Sequence, residues 1–126
     1  MRRPCSLAEV AAWSRSHEAL HRHLADFLDQ FYLERSTEML AEEPSLLKNS
    51  FAEGDVDDAY LAAVAVTLAR HVGTPPPKWA WSEDRKLRAP WFASRGAAVR
   101  ATLIAESPAA FRERNLFVSA NALSRA

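Results

Sequence analysis

The fold of this 126-residue chain is decided by Val56-Asp-Asp-Ala-Tyr-Leu-Ala-Ala-Val-Ala-Val-Thr-Leu-Ala-Arg-His-Val72. Apolar side chains cover most of the circumference of this stretch when it is drawn as a helix, which is typical of a helix buried on several sides. Asp55 is expected to cap its amino terminus, and Asp57 and Asp58 put negative charge where the helix dipole is positive. Gly73 and the three prolines after it end the helix. We predict a central helix over 56–72.

Two more helices are predicted before this stretch. From about Ser16 to Arg35, apolar residues recur at the three- and four-residue steps of one helical face, which predicts a core-facing amphipathic helix. Ser6 followed by Glu9 has the pattern of a capping box and predicts a short helix to about Trp13. Pro44 suits the first position of one of the short helical turns expected before the central helix.

The second half of the chain begins with a proline- and tryptophan-rich loop over residues 74–93. Its large aromatic side chains favour packing on the helices over exposure to water. Ser94 is expected to cap a further helix, and Ser107 before a proline starts another, with Asn115 left-handed at its end. No segment has enough alternation to predict a strand. We therefore predict one all-α domain over residues 1–126, a compact bundle of about five helices with the loop packed across it.

The composition is that of an ordinary globular protein, with 48% hydrophobic and 25% charged residues. Because Cys5 is the only cysteine, the chain has no intramolecular disulfide and fits a reducing compartment. No signal peptide and no apolar run of membrane-spanning length are evident. We expect a cytoplasmic protein that does not associate with a membrane.

Charge is distributed unevenly although the net charge is zero. Residues 36–84 carry three basic and nine acidic side chains, whereas residues 85–126 carry eight basic and two acidic ones. Either the basic third packs on the acidic middle third, or it faces a partner.

The sharpest chemical motif is H-E-x-x-H, which begins at His17 and ends at His21. On a helix, histidines four residues apart can hold one zinc ion while the glutamate, here Glu18, polarises the metal-bound water. The glycine and the histidine that extend this motif in one class of zinc peptidases are absent. The ordinary alternative to a zinc site is two half-exposed histidines on an amphipathic helix. His23 is expected to point away from this pair. A zinc site would need a third ligand, for which the downstream candidates are Glu38, Glu42 and Glu43.

Arginines dominate the basic third of the chain. Arg112 and Arg114, with Arg95 and Arg100 before them, could contact phosphates. Lysine is scarce, however, and no helix-turn-helix pattern is visible. The alternative is that these arginines pair with carboxylates of the central helix and with helix carboxyl termini.

The end of the chain, Glu106–Ala126, reads ESPAAFRERNLFVSANALSRA. With this tail and the stretches Pro75–Trp79 and Pro90–Phe92, residues 55–126 resemble a group of uncharacterised bacterial proteins. Members of the group end in a very similar tail, and some carry it behind a helix-turn-helix domain. The resemblance implies a regulatory or toxin–antitoxin setting with a protein partner, and it supplies no catalytic residues.

The function we expect is a non-enzymatic protein-interaction or regulatory module, antitoxin-like in kind, with another protein as its partner and no cofactor. The alternatives are a small zinc-dependent hydrolase that uses His17 and His21 as metal ligands, and a nucleic-acid-associated protein that uses the basic C-terminal third. Aromatic and arginine side chains are enriched at the centres of protein interfaces. On that ground the residues expected to contact the partner are Trp79, Trp81, Trp91, Arg112, Arg114 and Asn115.

Overall fold

The computed structural model describes residues 2–94 and 96–125. It confirms the prediction of an all-α fold with about five helices. The helices are α1 (Leu7–Trp13), α2 (His17–Glu34), α3 (Gly54–His71), α4 (Ala97–Glu106) and α5 (Ala109–Arg112), and two-residue strands β1 (Trp91–Phe92) and β2 (Leu116–Phe117) pair in parallel. None of the helices in the described ranges is long and apolar enough to cross a membrane.

Helix α3 is the central element, because fourteen of its eighteen residues are buried. It begins earlier than predicted, and the prediction that Asp55 is its cap is wrong. The capping position is Glu53, whose side chain makes no capping hydrogen bond. The early start of α3 follows from the turn that leads into it. The backbone of Leu47 packs so closely on Gly54 that a Cβ atom there would lie 1.9 Å from the Leu47 carbonyl oxygen.

The two helices predicted ahead of α3 are present. Ser16 caps α2 by accepting a hydrogen bond from the backbone N–H of Ala19 at 3.1 Å. Ser6 likewise accepts from the N–H of Glu9, whose carboxylate accepts from the N–H of Cys5 at 2.7 Å. The prediction that Pro44 starts a helical turn is wrong, because residues 43–47 form neither a helix nor a turn.

The loop over residues 74–93 packs across the helices, and a buried arginine fastens it. The Arg85 side chain is 0% exposed, and its Nη1 atom lies 3.6 Å from the Asp58 carboxylate. The Arg85 guanidinium also stacks over the Trp79 ring, at 5.0 Å from its centroid. The Trp79 indole donates a hydrogen bond to the carbonyl of Leu40 at 3.0 Å. Trp81 is the exception to the predicted packing, since 44% of it is exposed.

A second buried arginine fastens the C-terminal tail, which begins at Glu106, in the same way. Arg114 is 1% exposed and donates to the carbonyls of Ala110 and Ala80, at 2.8 Å each. Asn115 has the left-handed conformation predicted for it, with φ of 62°. Its side chain donates to the carbonyl of Leu87 at 2.8 Å. The loop and the tail therefore form one layer over α3.

Helix α4 differs from its predicted form. It begins after Gly96, whose φ is 101°, rather than at a cap on Ser94. Only Leu103 of this helix is buried. The strand pairing of Trp91 with Leu116 was not predicted, because two residues are too few to show alternation.

Candidate metal centre

Three side chains able to bind a metal meet where the first turns of α2 and α3 come together. Asp57 is 0% exposed, while His17 and His21 are 25% and 32% exposed. Asp57 Oδ1 lies 2.8 Å from His17 Nδ1 and 3.4 Å from His21 Nε2. One donor atom of each residue lies within 4.8 Å of the others, and no second group of this kind occurs in residues 2–94 and 96–125.

Local sequence explains how the histidines come together. The Ser16 cap fixes the start of α2, so that His17 occupies its first position. Residues four apart share one helical face, and the two imidazole rings accordingly contact edge to face with centroids 4.5 Å apart. Asp57 reaches them from α3, forty residues further along the chain. The site therefore depends on the packing of two separate helices.

The His21 ring contributes an unusual polar atom. Its Nε2 atom is buried and makes no hydrogen bond. A buried polar atom without a partner is unfavourable by about 1–3 kcal/mol. The ring packs edge to face on Tyr60, at 4.8 Å between centroids. Burial, with the nearby Asp57 charge, raises the pKa of Tyr60 to about 12.

The outer side of the site is formed by Glu53 and Trp91. The Glu53 carboxylate lies 3.4 Å from His17 Nε2, and half of its side chain is exposed. The Trp91 ring lies 6.4 Å from the His17 ring, measured between centroids. Beyond Trp91 opens a cleft of about 730 Å³, whose wall also includes Asp55 and Val56, the residues that precede Asp57.

The structure includes both predicted histidines in this group but none of the three glutamates proposed as third ligand. Glu43 instead contacts the buried Arg85 at 3.3 Å, while Glu38 and Glu42 are exposed. The third candidate ligand is Asp57, which was predicted to complement the helix dipole and, as an alternative to phosphate contacts, to pair with arginines of the basic third. One available signal was its position in a helix that is apolar on most sides, because a carboxylate there is buried and needs partners.

Two further residues of the motif region lie outside the site. Glu18 is exposed and makes no hydrogen bond or ion pair with any described residue. His23 is not a member of the group and contacts the Trp13 ring at 5.8 Å between centroids.

The six residues predicted to contact a partner do not form one open surface. Arg114 is buried, and the polar groups of Asn115 and Trp79 already bond within the fold. Trp91 is half-buried beside His17. Only Arg112 and Trp81 are well exposed.

The arginines considered for phosphate contacts are likewise dispersed. Arg100 stacks over the Phe92 ring at 5.1 Å, and Arg95 lies outside the described residues. The basic third does pack in part on acidic groups, since Arg85 meets Asp58, while Asp57 has histidines rather than arginines as partners.

Comparisons of this chain with protein-family models, with curated proteins and with solved structures find no match.

Proposed function

We propose that this protein is a metal-binding domain, which holds one divalent transition-metal ion on His17, His21 and Asp57. The observation that carries the proposal is a fully buried carboxylate facing two imidazoles, one of which has a buried nitrogen without a partner. An ion between them supplies that partner.

The chemistry of the ligands favours zinc. Imidazole nitrogens suit zinc and its first-row neighbours, whereas calcium and magnesium favour sites made entirely of oxygen ligands. Zinc also accepts a carboxylate oxygen beside two histidines. An ion that joins α2 to α3 binds the folded chain and not the unfolded one, so binding stabilises the fold.

A zinc-dependent hydrolase would require more than this set of ligands. In the H-E-x-x-H arrangement the glutamate must reach the metal-bound water. Glu18 is exposed and makes no hydrogen bond or ion pair with the three candidate ligands. The geometry supports metal binding more strongly than hydrolysis by that motif.

Metal binding is tested directly by titrating zinc or cobalt into protein first stripped with a chelator. Calorimetry should give one ion per chain, and elemental analysis of the dialysed protein should agree. His21→Ala and Asp57→Asn should each lose the ion. His23→Ala is the matched control, because this histidine lies on the same helix but outside the site. Failure of the unaltered protein to bind, or binding that survives His21→Ala, contradicts the proposal.

A second candidate function is the regulatory, antitoxin-like interaction module in the cytoplasm that the sequence led us to expect. It is favoured by the exposed apolar surface of α4, where Val99 and Ile104 are 42% and 50% exposed. The surplus of basic residues in the last third favours an acidic partner protein that carries an apolar stripe.

This second function is tested with tagged protein against an acidic partner isolated from its host. Val99→Ser combined with Ile104→Ser should release that partner, because the exposed apolar contact is lost. Leu33→Ser is the matched control, since Leu33 is 75% exposed on α2. A partner that binds the unaltered chain, the double variant and Leu33→Ser equally well does not bind through α4.

A further inference from the structure

We infer that Glu53 is a positioning residue of the metal centre, which selects the nitrogen of His17 that binds the ion. In this arrangement the ion binds Nδ1 of His17, and Glu53 holds the ring proton on Nε2. The inference rests on the proposed function, because it concerns the same ion.

The first argument is that the candidate ligand atoms converge on one oxygen of Asp57. Its Oδ1 atom lies 2.8 Å from His17 Nδ1 and 3.4 Å from His21 Nε2. The second oxygen of Asp57 also faces His17 Nδ1, at 3.1 Å. An ion that binds Asp57 and Nε2 of His21 therefore meets His17 on its Nδ1 side.

Glu53 lies on the other side of the His17 ring, so its carboxylate does not bind the same ion. Its Oε2 atom lies 3.4 Å from Nε2 of His17. This contact is somewhat longer than an ordinary hydrogen bond, and because half of the Glu53 side chain is exposed, a small rotation can close it. A carboxylate at the second nitrogen of a ligating histidine is common in metal sites, where it orients the ring.

The second argument concerns the ring proton of His17. A neutral imidazole carries one proton, on either Nδ1 or Nε2. A proton on Nδ1 is donated to Asp57 and blocks the nitrogen that the ion needs. A proton on Nε2 faces Glu53 and leaves the lone pair of Nδ1 available. Because the partner of one ring nitrogen decides which nitrogen a metal binds, Glu53 favours the form of His17 that accepts the ion.

The third argument is the backbone of Glu53. Its φ of 66° lies in the left-handed region, which glycine adopts far more readily than glutamate. Strained conformations of this kind persist where the surrounding structure imposes them, and they are concentrated at functional sites. Here the close packing of Gly54 on Leu47 holds the turn in place. A role of the carboxylate in orienting His17 would explain why glutamate stands at a position that suits glycine.

The position of the ring proton can be observed directly. Long-range proton–nitrogen NMR spectra of the zinc-loaded chain show which nitrogen of each histidine carries a proton. We expect His17 to carry its proton on Nε2 and the metal on Nδ1. A His17 ring with its proton on Nδ1 would overturn the inference, because Glu53 would then have no proton to accept.

The contribution of Glu53 to binding is measured in Glu53→Ala, by competition for zinc with a chelator of known affinity. Zinc affinity should fall about tenfold, within the range known for the removal of groups that support metal ligands. Glu53→Gln should recover part of this loss, because its amide oxygen can accept the same N–H. A Glu53→Gln variant as weak as Glu53→Ala would show an effect of charge rather than of the ring proton, and would contradict the inference.

The matched control is Glu18→Ala, which removes an exposed carboxylate beside His17 in the sequence. Glu18 makes no hydrogen bond or ion pair with the candidate ligands, so its loss should leave zinc affinity unchanged. Thermal unfolding of the metal-free variants shows whether Glu53→Ala is still folded. If it is not, the comparison of Glu53→Gln with the unaltered chain and the NMR spectrum of the unaltered chain decide the question.

The outcomes distinguish this inference from the proposed function. If His21→Ala and Asp57→Asn lose zinc while Glu53→Ala keeps the full affinity, the three-ligand site stands and the role of Glu53 is wrong. If the unaltered chain does not bind zinc, or if binding survives His21→Ala, the metal-binding function is wrong and the role of Glu53 with it.

Discussion

Asp57 and Asp58 are neighbours on α3, and both side chains are fully buried, yet they lie in two regions of different character. Asp58 accepts hydrogen bonds from the backbone N–H groups of Leu47 and Lys48, at 2.7 and 3.1 Å, and faces the buried Arg85. Asp57 faces two partly exposed imidazoles.

The two regions differ in whether the groups that contact the carboxylate can bind something else while the chain stays folded. Backbone amides and a buried guanidinium stay in place as long as the chain is folded, so the Asp58 region is part of the architecture. Imidazole nitrogens are also common metal ligands. The contacts of Asp57 could therefore change when a metal ion is present, whereas those of Asp58 could not.

The largest expected effect is the loss of stability in Asp58→Ala. This change leaves Arg85 buried without its carboxylate and two backbone N–H groups without acceptors, so the free energy of unfolding should fall by about 3–5 kcal/mol. Asp57→Ala, measured without metal, should reduce it by only about 1 kcal/mol, because its histidines can reach water. Urea unfolding at pH 7 measures both.

The control for this comparison is Asp84→Ala, which removes an exposed ion pair with Lys48. Such pairs contribute less than about 1 kcal/mol. Equal losses in Asp57→Ala and Asp58→Ala would mean that the two regions do not differ as described.

The next effect is a dependence of stability on pH that originates at Asp58. Burial raises the pKa of Asp58 from 3.8 to about 6, against the lowering effect of its N–H donors and of Arg85. The folded chain thus binds this proton more tightly than the unfolded chain. The contribution of Asp58 to stability is therefore greatest below about pH 4, falls by about 2–3 kcal/mol up to about pH 6, and is constant above.

Urea unfolding of the unaltered chain and of Asp58→Asn, with chelator present between pH 3.5 and 7, isolates this contribution. Glu9 contributes with the opposite sign, because its hydrogen bond with Arg2 lowers the pKa of that carboxyl. It is present in both proteins and cancels in the difference. A difference that does not vary with pH would show that Asp58 does not titrate in this range.

The smallest effect is a gain in stability in Glu53→Gly without metal. Glycine relieves the left-handed backbone at position 53, and the free energy of unfolding should rise by up to about 1 kcal/mol. Thermal unfolding in the presence of a chelator measures the change, and a variant that melts below the unaltered chain would contradict the strain argument.

Much of the helical architecture could be predicted from the sequence. The apolar pattern of α2 and the caps at Ser6 and Ser16 are local signals, and all three are present in the structure. The start of α3 was misplaced because it depends on Gly54 packing against Leu47, a contact between residues seven positions apart.

The candidate site was predictable only in part. His17 and His21 share one helix, so their spacing revealed them. Asp57 and Glu53 reach the site through the packing of α3 on α2, which no local spacing encodes. Arg114 was expected to contact a partner because arginine is enriched at protein interfaces, whereas the carbonyls that keep it inside belong to Ala110 and to Ala80 in the loop.

Gly54 has a consequence for the tolerance of the sequence to mutation. In a saturation library, position 54 should accept no other residue, because even alanine would force its Cβ into the Leu47 carbonyl. Gly73 and Gly96 have no atom within 4 Å of an added Cβ, so asparagine should survive there despite their positive φ. The backbone N–H of Leu47 also donates to Asp58, so the backbone of one residue contacts both the first position of α3 and the Asp58 carboxylate. Because Gly54 begins the helix that carries Asp57, a substitution at position 54 would impair folding and metal binding together.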